Sequence, residues 1–171
     1  MPHQALILLA HEDYDGEEYR SSRCVLSNNG IGVRTASTEN SVARDVRGDE
    51  ASPDLVLDAV ETEGLDAVVV IGGPGAVALA GDERVHRILR EVSARGGVLA
   101  GIGLGVLALA RSGCLKGRRA VRNPETESAL REAGARVARG QIVVDRRIVT
   151  AADRTSALRF GGRVVEVLRS A

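Results

Sequence analysis

The chain has 171 residues, and its 23 Lys plus Arg equal its 23 Asp plus Glu, so no bulk field draws it to nucleic acid or to an anionic membrane surface. Aromatic residues make up 2% and tryptophan is absent, which excludes a stacking platform for bases and leaves Ala, Val, Leu and Ile to fill a core. The length fits one domain spanning 1–171, and two cysteines, Cys24 and Cys114, allow at most one bridge, so a reduced, cytoplasmic setting is the simpler expectation.

Ala5 to Ala10 is a continuous apolar run, as in a strand covered on both faces, and it ends at His11, too short for a signal or membrane segment. An acidic loop, His11-Glu12-Asp13-Tyr14-Asp15-Gly16, leads into a helix over about 17–29, closed by Gly30 in a left-handed cap position. Val33 to Ser37 reads as the next strand, and Ser41 to Val46 as a short edge strand or hairpin ending at Gly48. Ser52-Pro53-Asp54 combines a capping hydroxyl, proline at the first helical position and an acid near the positive end of the dipole, and predicts a helix to about Glu63. Ala67 to Ile71 is a second buried strand, ending in Gly72-Gly73-Pro74-Gly75, and a helix from about Asp82 to Arg95 follows.

Val98 to Ile102 is a third apolar strand, followed by Gly103-Leu104-Gly105 and an apolar helix from Val106 to Arg111. Asn123-Pro124-Glu125 caps a helix to Ala133, closed by Gly134. Ile142 to Val144 and Ile148 to Thr150, separated by Asp145-Arg146-Arg147, read as a hairpin, and Asp153 caps a last helix to about Leu168. Alternating strands and helices predict an α/β fold: a doubly wound, mostly parallel sheet with helices on both faces and a small antiparallel edge.

Ligands of such sheets gather at the carboxyl ends of the strands, where three segments are chemically unusual: the acidic loop after Ala10, the glycine loop after Ile71 and the turn at Gly103. The glycine loop has neither the spacing of a dinucleotide fingerprint nor the Lys-Ser/Thr pair of a phosphate loop, so it is either a tight turn or a backbone donor for a developing oxyanion. In Gly101-Ile102-Gly103-Leu104-Gly105, glycines two before and two after a central residue are the spacing of a nucleophile elbow. The central residue, however, is glycine, which adopts the elbow's strained conformation at little cost and carries no reactive atom.

These segments carry a family resemblance. Ala67-Val68-Val69-Val70-Ile71-Gly72-Gly73-Pro74-Gly75, Val98-Leu99-Ala100-Gly101-Ile102-Gly103-Leu104-Gly105, Gly113-Cys114-Leu115-Lys116-Gly117-Arg118-Arg119 and Val143-Val144-Asp145 with Ile148-Val149-Thr150 resemble the DJ-1/ThiJ/PfpI superfamily, over nearly the whole chain. The resemblance implies a flavodoxin-like three-layer sandwich and a homo-oligomer, in the first instance a dimer. Family members carry proline-Gly-Gly at the glycine loop and a Cys-His pair at the elbow. Here the proline position is Ile71, the cysteine position Gly103 and the histidine position Leu104. Gly73 keeps the implied oxyanion amide, and Glu18 matches the first-helix glutamate that tunes the family's cysteine.

The remaining candidates are few. Cys24, inside the first helix, and Cys114, at a usually apolar position, read as small core residues and do not supply the missing thiol. A partly buried Glu18 would have its pKa raised by desolvation and suit acid or base work; a solvated helix-start acid is the bland alternative. His11 is a loop histidine facing solvent or, near the site, a base or, with Asp13 or Asp15, a metal ligand; no second histidine has ligand spacing, so no metal or cofactor is expected. Lys116, Arg118 and Arg119 could hold an anion but read as a solvated loop. The expectation is a non-catalytic or divergent family member that keeps the pocket and binds a small molecule or a protein. The alternative is a hydrolase, glyoxalase or amidase-like enzyme in which Glu18, with His11 or a water, works beneath the Gly73 amide.

Overall fold

A computed structural model describes residues 1–170. The apolar run forms strand β1 (Gln4–Leu8), followed by β2 (Glu12–Tyr14) and helix α1 (Gly16–Asn28). An aspartate accounts for the start of α1: the Asp15 carboxylate accepts the Glu18 N–H at 3.1 Å, satisfying one of the helix's unpaired donors. Beyond its end Gly30 sits at φ +76°, the left-handed position anticipated from sequence. Strand β3 (Gly32–Ser37) follows, and β4 (Ala43–Asp45) pairs antiparallel with β5 (Glu50–Ala51) through a turn at Gly48.

The helix expected from Ser52 to Glu63 does not form. The segment makes the edge strand β6 (Leu55–Val56) and a single 3-10 turn, Leu57–Ala59. Asp54 explains why: its carboxylate accepts the Thr35 N–H and its own N–H donates to the Thr35 carbonyl, both at 2.8 Å, so β3 captures the backbone in extended form. Proline at position 53 fits a helix start but equally favours an extended residue before it.

The chain continues through β7 (Ala67–Val70), a short helix α2 (Ala76–Ala80) that the sequence pattern did not signal, α3 (Glu83–Ala94), β8 (Val98–Ile102) and a 3-10 turn, Gly103–Gly105, that leads directly into α4 (Val106–Arg111). Strand β9 (Arg119–Val121), helix α5 (Glu127–Glu132) and strand β10 (Arg136–Ala138) form a small unit in which β9 and β10 pair in parallel. The helix expected from Asn123 starts later, because Asn123 first closes a turn by accepting the Glu125 N–H at 2.9 Å. The hairpin β11 (Ile142–Asp145) and β12 (Ile148–Ala151) and helix α6 (Ala157–Arg169) complete the chain.

The main sheet has the order β11-β12-β8-β7-β1-β3-β6 and is parallel except at β11. Alternation along its strands sends Leu6, Leu8, Val68, Val70 and Leu99 to one face with Ile88, Leu89 and Leu109, and Ala5, Ile7, Val69 and Ala100 to the other with Tyr19, Phe160 and Val164. This is the doubly wound architecture expected from sequence. No helix among the described residues is long and apolar enough to cross a membrane.

Candidate functional site

The carboxyl ends of β1, β7, β8 and β12 open into one cavity of about 250 Å³. It is lined by Glu18, Gly73, Gly103 and Leu104 together with Asp15, Asn123 and Arg154. Four residues singled out from sequence therefore meet in space.

Gly103 stands at the end of β8 with φ +57°, in the left-handed region that side chains other than glycine's occupy at a cost. A Cβ built on it would lie 2.7 Å from Glu18 Oε1, so the glutamate carboxyl fills the space beside this turn. The flanking glycine is needed for a different reason. A Cβ on Gly105 would overlap the Val70 carbonyl oxygen, so this spacing lets the turn lie against the end of β7. Gly73, at φ +97°, leaves equally little room, since a Cβ there would stand 2.5 Å from the Asp15 nitrogen and 2.6 Å from the Asp13 carbonyl oxygen.

Those close approaches are fixed by a backbone clasp between two loops. Asp15 N–H donates to the Gly72 carbonyl at 2.9 Å and Gly75 N–H to the Asp13 carbonyl at 3.0 Å, with Asp13 itself held at φ +58°. The acidic loop after β1 is thus bonded to the glycine loop after β7. The Gly73 N–H donates to no atom among the described residues and belongs to the cavity lining.

Glu18 is 3% exposed, and its Oε2 accepts the Gly72 N–H at 2.7 Å. Burial, and after it the charge of Asp15, push its pKa up to about 8; the Gly72 bond and Arg154 pull the other way without winning. Near neutral pH Glu18 is therefore a protonated acid, able to donate through one oxygen while the other accepts. Arg154 Nε pairs with Asp15 at 3.1 Å. That places one guanidinium, a neutral carboxyl, the Asn123 side chain and a backbone N–H around one small volume, beside the carboxylates of Asp15, Glu125 and Asp153.

His11 is not among the residues lining this cavity. Its ring, 16% exposed rather than facing solvent, sits in a separate depression with Nε2 3.6 Å from Glu12 and 3.7 Å from Glu39. No group of three or more His, Cys, Asp or Glu side chains is gathered to hold a metal among the described residues. The cysteines also depart from expectation: Cys24 is exposed, because the buried face of α1 carries Glu18, Tyr19, Ser21, Ser22 and Leu26, and Cys114 is half-buried beyond α4. Arg154 and Asp15 were not singled out as a pair. Their signal is topological: β12 is parallel to β8, so the Asp153-Arg154 loop after it opens at the same end of the sheet as Gly103.

The sequence profile of the DJ-1/PfpI family matches residues 3–167. The chain belongs to the DJ-1/PfpI family. Among proteins of this kind, a glutathione-independent glyoxalase, DJR-1.2, from Caenorhabditis elegans is 26% identical over 164 residues, covering 96% of this chain and 88% of that one. The crystal structure of a ThiJ/PfpI domain protein from Brachyspira murdochii superposes with a TM-score of 0.95 at 29% identity, covering 99% of this chain and 98% of the other. Drosophila melanogaster DJ-1beta gives a TM-score of 0.89 at 25% identity, covering 100% and 92%. These family structures share the three-layer fold found here, with a large parallel sheet between helices.

Proposed function

We propose that this chain is a DJ-1/PfpI-family protein that works without a thiol at its elbow and uses the cavity to bind a small polar molecule. One observation carries the reading. At the strand-to-helix turn a glycine holds the left-handed conformation, and the Glu18 carboxyl stands 2.7 Å from where a side chain would begin. Thiolate attack needs a sulfur at that point, and neither Cys24 nor Cys114 lines the cavity. What does line it suits recognition of a molecule with both an acceptor and a donor: Arg154, the Gly73 N–H and the protonated Glu18. The working form is a homo-oligomer, in the first instance a dimer, and light scattering that finds only monomer at working concentration removes that part.

The test is amide NMR of the full chain titrated with small uncharged hydroxy and oxo compounds, glycerol and hydroxyacetone first. Saturable shifts at Gly73, Gly103 and Leu104 that are lost in Arg154→Ala are expected. An unshifted site across the series overturns the reading.

A second reading rests on the raised pKa of Glu18, which suits a general acid or base near neutral pH. In it Glu18 moves a proton while the Gly73 N–H receives a developing oxyanion, and the glyoxalase relative makes a 2-oxoaldehyde the first substrate to try. Turnover of that compound by the wild type, abolished in Glu18→Gln and indifferent to alkylation of both cysteines, would establish this reading over the first.

A further inference from the structure

A second cavity, of about 270 Å³, lies at the opposite end of β8 from Gly103. Gly96 and Gly97, just before the strand, line it together with Ser93, Cys114, Lys116, Arg118, Asp145, Arg146 and Arg147. Four cations thus face one carboxylate in a chain whose overall charge is balanced. The sequence pattern presented Lys116, Arg118 and Arg119 as a solvated loop; the fold adds Arg146 and Arg147 from a hairpin almost thirty residues further on and closes them around a concavity.

The charges here are not absorbed internally. None of Lys116, Arg118, Arg146 and Arg147 has a carboxylate oxygen within 4.0 Å among the described residues, a state they share with Arg90, Arg95, Arg136 and other arginines; what sets these four apart is their convergence on one concavity. Asp145, the single acid of the lining, is already engaged by the Arg119 N–H at 2.8 Å. Arg147 is pinned by neutral carbonyls, through Nε to Gly96 at 3.0 Å and through a terminal nitrogen to Val167 at 2.6 Å, which fixes the hairpin turn against the start of β8. Arg146 occupies that turn at φ +54°, where glycine or asparagine is the ordinary choice. Four cations gathered on one concavity with a single carboxylate form an arrangement that an anion stabilises.

We infer that this cavity binds a small phosphorylated compound, with Lys116, Arg118 and Arg146 around the phosphoryl oxygens and the Ser93 hydroxyl as a neutral donor. Two guanidinium forks and an ammonium supply more N–H donors than one carboxylate accepts, and match the several equivalent oxygens of a phosphoryl group. The site is independent of the elbow cavity, so neither reading depends on the other.

The experiment titrates the full chain with inorganic pyrophosphate at low salt, by calorimetry and amide NMR. Saturable shifts are expected at Ser93, Gly96, Gly97, Arg118 and Arg146, with affinity falling at least about tenfold in a K116A/R118A variant and on raising NaCl from about 50 to about 500 mM. An R163A variant, whose cation does not line the cavity, keeps wild-type affinity. Because Cys114 lines the cavity and Cys24 does not, pyrophosphate should also slow alkylation of Cys114 alone. Unchanged affinity in K116A/R118A, or shifts spread over the whole basic surface, overturns the site. Citrate binding as tightly as pyrophosphate overturns the phosphoryl assignment.

Discussion

Glu18 accepts the Gly72 N–H at 2.7 Å, joining the first turn of α1 to the loop after β7 across 54 residues of sequence. The bond holds Oε2, and Oε1 is left facing Gly103. A buried carboxyl in this position links pH to stability.

The sign follows from proton binding. Glu18 titrates at about 8 in the folded chain against 4.5 as a free side chain, so the folded state binds the proton more tightly. Its contribution is fully present below about pH 4.5 and is lost as pH rises towards 8. Chemical denaturation between pH 5 and about 9 should show wild-type stability falling relative to Glu18→Gln, by on the order of 3 kcal/mol across the range. Parallel profiles for the two proteins would contradict the raised pKa.

Asp15 is the second cause of that shift, after burial. Asp15→Asn removes the charge and keeps a good helix cap, so the pKa of Glu18 should drop while α1 remains formed. Side-chain carbon NMR of Glu18 reads the change directly. Arg154→Ala, which removes an opposing positive charge, should move it upward instead.

Gly105 tests the elbow's geometry. A methyl group there would overlap the Val70 carbonyl oxygen, which belongs to a central strand and cannot withdraw. Gly105→Ala should cost about 2–3 kcal/mol in denaturant unfolding, whereas Gly162→Ala, which meets nothing within 4 Å, should cost little or stabilise α6.

Gly103→Cys should place a thiol beside Glu18. The side chain must displace Glu18 Oε1, the oxygen not bonded to Gly72, and sits at φ +57°, so the variant should fold with a loss of about 1–3 kcal/mol. Peptide mapping after brief iodoacetamide treatment should find Cys at 103 modified, and more slowly in the Glu18→Gln background if the carboxyl assists deprotonation. No modification at 103 in the native state would show that the cavity does not admit a reagent of that size.

Much of this was legible from residue order. A continuous apolar run rich in β-branched residues and ending in glycine, such as Ala67 to Ile71, reads as a central strand, and the Gly101, Gly103, Gly105 spacing announced the turn because each glycine answers a local steric demand. The failures share a cause. Ser52-Pro53-Asp54 carries a good local helix signal, but pairing with Thr35 across the sheet overrode it. Arg154 joined the site, and Arg146 and Arg147 joined Lys116 and Arg118, only because strand order brought distant loops to a common edge. Cys24 was misplaced by residue type, where helical phase decides exposure.

The central claim is that the cavity around Gly103 operates without a thiol. The most direct measurement compares wild type with a C24S/C114S variant for turnover of a 2-oxoaldehyde, an amide and a peptide substrate under identical conditions. Identical profiles, with no substrate turned over in a thiol-dependent way, are predicted; turnover by the wild type that disappears in the cysteine-free protein would contradict it.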